Sequence, residues 1–124
     1  MNRLLTPLEL QVMNLLWEKE RVFVKDLIEA WVPDENGKKP AYNTISTIVR
    51  ILEKDKGFIG YKAYGRTHEY FPLISKSEYQ KTFLKNAIDN VFSGSLTSLV
   101  SALVDDEQVD ATELDELKRL LDEE

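Results

Sequence analysis

A helix-length run, AYNTISTIVRILEKDK over residues 41–56, reaches Gly57 and passes into an alternating stretch, FIGYKAYGRTHEYF, over 58–71. The apolar period thus switches from 3.6 to 2 across one glycine, which predicts a helix followed immediately by a hairpin. In the helix, Ile45, Ile48, Val49 and Leu52 share one face at i, i+3, i+4 and i+7. The other side carries Asn43, Thr44, Thr47 and Arg50, with Ser46 at its border. Short hydrogen-bonding groups plus one guanidinium suit a DNA major groove, where such side chains read base edges. In the hairpin, Ile59, Tyr61 and Ala63 alternate with Gly60, Lys62 and Tyr64, and the turn Tyr64-Gly65-Arg66-Thr67 gives it a basic tip. A reading helix followed by a basic hairpin predicts a winged helix-turn-helix.

The flanking sequence supplies the rest of such a domain. Thr6, Pro7 and Glu9 form a capping-box start for a first helix, whose stripe is Leu8, Val12, Leu15 and Leu16. Residues 21–24 are long enough only to add a third strand to the hairpin. Lys25 to Val32 reads as a short second helix stopped by Pro33, and PDENGKKP over 33–40 as a loop. The expected fold is mainly α (α+β), with a core built from Leu8, Val12, Leu16, Ile28, Ile45, Val49 and Leu52.

The character changes after Leu73, so the expected domains are 1–74, a winged-helix DNA-binding domain, and 75–124, a C-terminal helical dimerisation region. Ser75 to Glu78 opens a helix with Leu84, Ile88 and Val91 on its stripe. Ser93-Gly94-Ser95 breaks the run, and Leu96, Leu99, Val100 and Leu103 resume it. Residues 110–113 then start a last helix with Leu114, Leu117, Leu120 and Leu121. Three short amphipathic helices in so few residues cannot bury their stripes alone. Pairing with a second copy about a two-fold axis removes the difficulty, and folding back on the same chain is the alternative.

Charge is divided unevenly. Residues 1–74 hold 11 Lys and Arg against 10 Asp and Glu, whereas residues 75–124 hold 5 against 12. Between Lys38 and Arg66 the count is 7 basic to 2 acidic, and this local basic face, rather than the net charge of −6, governs nucleic-acid affinity. The chain has no cysteine, which removes disulfides and thiolate chemistry, and its single histidine, His68, could bind a transition metal only with carboxylate help. No metal site, cofactor or catalytic motif is expected, and the chain does not read as an enzyme. No apolar run approaches the roughly 20 residues of a membrane span, and the start of the chain lacks the apolar core of a signal peptide. A soluble cytoplasmic protein without membrane insertion is the expectation.

Taken in order, these residues resemble the penicillinase and methicillin-resistance repressor family (BlaI/MecI), which also includes the copper-responsive CopY-type repressors. Leu5-Thr6, Glu9, Val12-Met13 and Leu16-Trp17-Glu18 are similar to that family's first helix. Thr44-Ile45, Thr47, Val49, Leu52 and Lys54, then Lys56-Gly57-Phe58-Ile59, are similar to its recognition helix and the start of its wing. Gly65-Arg66 and Tyr70 to Leu73 match the wing and its exit. Phe83, Ser98 to Val100 and Glu113 to Leu121 match the dimer region. The resemblance implies a homodimeric repressor on an inverted-repeat operator. In the beta-lactam branch, a membrane metalloprotease sensor releases the repressor by a cut between Asn and Phe in the dimerisation helices. The matching bond here is Ala102-Leu103. The copper branch carries C-terminal cysteines that this chain lacks, and Ala41-Tyr42-Asn43 stands where the family often has Ser-Pro-Lys.

The expected DNA-binding set is Tyr42, Asn43, Thr44, Ser46, Thr47, Arg50, Lys54, Lys62 and Arg66, with Lys38 and Lys39 as further phosphate candidates. Arg50 suits guanine or a phosphate, and Asn43 adenine or a phosphate. Tyr42 suits stacking on the sugar–phosphate or capping of the helix. The competing reading is a winged-helix protein-interaction module that binds no DNA, which would have no use for the basic excess over 38–66.

Overall fold

The computed structural model describes residues 4–105 together with 112, 113, 115, 116 and 119. Helix α1 (Pro7–Lys19) starts as its sequence dictates: Thr6 Oγ1 accepts from the Glu9 N–H at 3.2 Å, and Glu9 Oε1 accepts from the Thr6 N–H at 2.9 Å. Two of the orphan donors of the first turn are thereby satisfied. Helix α2 (Val24–Ala30) is fixed at its start by Asp26, whose carboxylate accepts from the Phe23 N–H at 3.0 Å. The loop beyond it is pinned by Asp34 Oδ1, which accepts from the Asn36 and Lys38 N–H groups.

Helix α3 (Tyr42–Arg50) does not run to Lys56 as one regular helix. After Arg50 the backbone widens into a π-type turn over Ile51–Asp55, closed by the Lys56 N–H donating to Ile51 O at 3.1 Å. The looser turn keeps Leu52 fully buried while Lys56 reaches α1. Gly57 follows with φ +67°, a left-handed conformation that side chains disfavour.

Strands β1 (Ile59–Tyr64) and β2 (Thr67–Pro72) pair antiparallel from Ile59↔Pro72 to Tyr64↔Thr67. The two-residue turn has Gly65 at φ +64° in its first position, as a type II′ hairpin requires. The third strand expected from residues 21–24 is reduced to one bridge, Val22↔Tyr70, with reciprocal N–H···O bonds of 3.0 and 2.7 Å. Cross-strand pairing places Ile59, Tyr61, Ala63, His68 and Tyr70 on one face. Lys62, Tyr64, Glu69 and Phe71 lie on the other.

The core joins Val12, Met13 and Leu16 of α1, Leu27 of α2, Ile45 and Val49 of α3, Leu52, Phe58 and Ile59. Leu8 and Ile28, expected inside, are half-buried at its edge. These elements form a winged helix-turn-helix: three helices in a compact core, then a two-stranded wing. Helix α4 (Lys76–Asn90) opens on a second capping box, between Ser75 and Glu78. Its Tyr79 belongs to the winged-helix core, 6.1 Å from the Trp17 ring and 6.0 Å from that of Phe58, and its hydroxyl accepts from the Leu5 N–H at 2.9 Å.

The chain divides into two compact units, Met1–Thr82 and Phe83–Glu124. In the second, α4 ends where Ser93 and Gly94 take φ of +51° and +78°, and the Gly94 N–H donates to Ile88 O at 2.7 Å. Ser95 then caps helix α5 (Leu96–Asp105) by accepting from the Ser98 N–H at 3.1 Å. On these helices Leu84, Val91, Leu96, Leu103 and Val104 are exposed, and Ile88, Leu99 and Val100 are half-buried. Leu114, Leu117, Leu120 and Leu121 lie outside the described residues. No helix among the described residues is long and apolar enough to cross a membrane.

Candidate nucleic-acid interface

Helix α3 presents two opposite chemistries because its apolar residues recur with the helical period. Ile45, Ile48, Val49 and Leu52 are buried, whereas Tyr42, Asn43, Thr44, Thr47 and Arg50 are exposed and Ser46 is half-buried. The expected reading set therefore occupies one continuous outward surface. Thr47 Oγ1 donates to Asn43 O at 2.9 Å, one turn back. Its hydroxyl proton is thus used by the helix, and its lone pairs and methyl remain for a partner.

The wing stands beside this surface. Between them lies a cleft of about 380 Å³, lined from α3 by Asn43, Ser46 and Arg50 and from the hairpin tip by Arg66, Thr67 and His68. Val24, Tyr42 and Tyr70 complete its lining. Burial, and after it the negative charge of Glu53, pushes the Tyr70 hydroxyl up from its ordinary range against the opposing pull of Arg50. Tyr70 is therefore a neutral phenol at physiological pH.

Two ion pairs occur among the described residues, Arg21 with Glu69 at 3.8 Å and Lys56 with Glu9 at 2.5 Å. Arg50 and Arg66 have no carboxylate within ion-pair distance there, so their charge is available to an anion. Lys54 and Lys62 are exposed as well, and the Lys62 ammonium lies 5.3 Å from the centroid of the Tyr64 ring. Lys39 is placed differently. Its ammonium donates to Ile28 O at 3.0 Å and Glu29 O at 3.2 Å, so it caps the C-terminus of α2. Lys38 remains exposed on the loop.

Periodicity and composition gave no sign of two features. His68, which the sequence singled out only as a lone histidine, forms a wall of the cleft and stacks on Tyr61 at 4.1 Å with an interplanar angle of 10°. Register was the usable signal, since Tyr61 and His68 fall on one face once the turn is centred on Gly65-Arg66. The other is the Glu9–Lys56 pair, whose partners lie 47 residues apart and which ties the start of α1 to the end of the reading helix's last turn. Burial raises the Glu9 carboxyl. Hydrogen bonds from Lys56 and Thr6, with the Lys56 charge, outweigh it and hold the group below its ordinary range. Among the described residues no cluster of three or more His, Asp or Glu is placed to hold a metal ion.

The Penicillinase repressor family matches the chain over residues 5–123. Methicillin resistance regulatory protein MecI of Staphylococcus aureus (strain N315) is 32% identical over 113 residues, covering 91% of this chain and 89% of that protein. The Penicillinase repressor of Bacillus licheniformis is 27% identical over 117 residues, covering 93% and 87%. The solution structure of the DNA binding domain of the repressor BlaI aligns at a TM-score of 0.48 and 25% identity, over 60% of this chain and 87% of that one.

Proposed function

The chain belongs to the penicillinase repressor family, and from that premise we propose that it is a cytoplasmic homodimeric repressor that binds an inverted-repeat operator. The family is one of transcriptional repressors rather than enzymes. The observation that carries the DNA-binding reading is the outward face of α3, where Tyr42, Asn43, Thr44, Thr47 and an unneutralised Arg50 stand exposed beside a basic wing. In this reading α3 enters the major groove. Asn43, Thr44, Ser46 and Thr47 meet base edges, Arg50 a guanine or a phosphate, and Tyr42, Lys54, Lys62 and Arg66 the backbone on either side.

Dimerisation is supported by the apolar residues that α4 and α5 leave in solvent, Leu84, Val91, Leu96, Leu103 and Val104, since a second copy would cover them. In that assembly Ala102-Leu103 of α5 is shielded, and a membrane metalloprotease sensor acting there would release DNA by separating the half-sites. The test is selection of bound sequences from a random duplex pool. An inverted repeat with half-sites spaced by about one helical turn or a multiple of it is expected. Enrichment of nothing, or no binding at low salt, refutes the repressor reading, and a monomer in sedimentation at micromolar concentration refutes the dimer.

A further inference from the structure

His68 has no part in the reading above, yet it occupies one wall of the cleft between α3 and the hairpin tip. We propose that this cleft seats one phosphodiester of bound DNA, held by Arg50 from the helix and by Arg66 and His68 from the hairpin. The inference rests on the DNA-binding reading and assigns its wing-side contact to a discrete place.

The lining chemistry is that of an anion site. No carboxylate lines the cleft, both arginines lack an ion-pair partner among the described residues, and Asn43, Ser46 and Thr67 add neutral donors. Arg50 and Arg66 approach from different elements, so the anion would be gripped from two sides. The His68 ring is held by its stack on Tyr61 and by an edge contact with Tyr70 at 6.1 Å. Among the described residues no protein group takes a hydrogen bond from that ring. Ring orientation is thus set by packing rather than by a hydrogen bond within the protein.

The charged and titratable groups around His68 are Tyr61 on the paired strand, Tyr70 on its own strand, Arg66 in the turn, and Arg50 with Tyr42 across the cleft. Glu53 acts on Tyr70 from the turn after α3. A phosphate placed among them interacts more favourably with an imidazolium than with a neutral ring, so DNA binding and protonation of His68 are linked. This is the only histidine in the chain, which makes the effect assignable.

The test uses the full chain and a fluorescein-labelled duplex of random sequence, because a phosphate contact is independent of sequence. From about pH 7.5 to about pH 5.5, wild-type affinity should rise by roughly 3–10-fold, and the slope of log K against log salt should steepen by about 0.9, one further phosphate neutralised. His68→Gln should abolish both changes. Arg66→Gln, at an exposed tip with no packing role, should lower the slope by about 0.9 at either pH. The one set of histidine ring resonances should shift on addition of duplex. An unchanged pH response in His68→Gln, or ring resonances indifferent to duplex, overturns the phosphate seat while leaving the DNA-binding reading intact. Resonances that shift with inorganic phosphate but not with duplex do the same. Absence of any wild-type binding overturns the reading beneath it.

Discussion

Replacing Lys56 by Met should be among the most damaging single changes outside the apolar core, and its cost should depend on pH. In the native chain the Lys56 ammonium donates to Glu9 Oε1 and to Leu4 O at 2.8 Å, and the two side chains are only 13% and 7% exposed. Without the ammonium, the Glu9 carboxylate keeps the Thr6 N–H as its donor but has no countercharge. Removing one partner of a buried pair costs about 3–5 kcal/mol. A ceiling also applies, because Glu9 can fold protonated. From an unfolded-state value near 4.3, holding a glutamic acid neutral at pH 7 costs about 3.7 kcal/mol, at 1.36 kcal/mol per pH unit. At pH 5 the same penalty is about 1 kcal/mol. The expected loss is therefore about 3 kcal/mol at pH 7, or about 2 M in the urea midpoint for a slope near 1.5 kcal/mol/M, shrinking towards pH 5. Trp17 and Trp31 both lie in the first unit, so their fluorescence reports this transition, followed at fixed protein concentration because a dimer's stability depends on it. The double change Glu9→Leu with Lys56→Met should recover most of the loss, since an apolar pair carries no uncompensated charge. A single-variant loss below about 1 kcal/mol at pH 7, or a loss equal at both pH values, would refute the reasoning.

The wild-type pair carries the matching signature. Glu9 lies below its ordinary range in the fold, so its contribution is fully present above the unfolded-state value near pH 4.3 and is lost as pH falls through the lower folded value. Glu9→Gln should remove that part of the acid transition in a pH-dependent melt. Arg50→Ala should weaken binding to operator and to random duplex alike in titrations at fixed salt, as loss of a phosphate contact does, and a loss of about 1–3 kcal/mol confined to the operator would reassign it to a base. A chain ending at Thr82, which retains Tyr79, should fold as a monomer, whereas one ending at Pro72 should melt lower for want of that ring, as calorimetry of the two would show. Limited proteolysis of the full chain should nick near Gly94 or in the 33–40 loop before Ala102. Mass spectrometry finding Ala102-Leu103 cut first would mean that bond is not shielded in a dimer.

Much of the winged helix is legible in local sequence because its signals act over a few residues. The Thr6–Glu9 capping box and the glycine turn at 65 each involve neighbours in the chain and produce the elements expected, whereas α2 stops at Ala30, short of the expected Val32, and the period from Ile45 to Leu52 spans both α3 and the π-type turn after Arg50. The fully buried Phe58 was less legible, since a residue between two elements has no period to declare it. Tyr79 lies in sequence beyond residue 74, within the expected C-terminal helical region. Only its approach to Trp17 and Phe58 puts it in the winged-helix core.

Sequence alone determined which face of α3 is polar, because a 3.6-residue period leaves no choice of what turns inward once Ile45, Val49 and Leu52 are buried. It also determined where the positive charge concentrates. Tertiary structure decided what surrounds that charge. Lys39 and Lys56 look like the other basic residues in composition, yet one caps α2 and the other neutralises Glu9, while Arg50 and Arg66 are left without a carboxylate partner among the described residues. His68 acquires its place beside Arg50 and Arg66 only when the hairpin lies against α3. The physical reason is range: helix period, caps and turns are settled by residues within about one turn of each other. A charge's partner is settled by which distant segment packing brings within about 4 Å, where the Coulomb interaction becomes large.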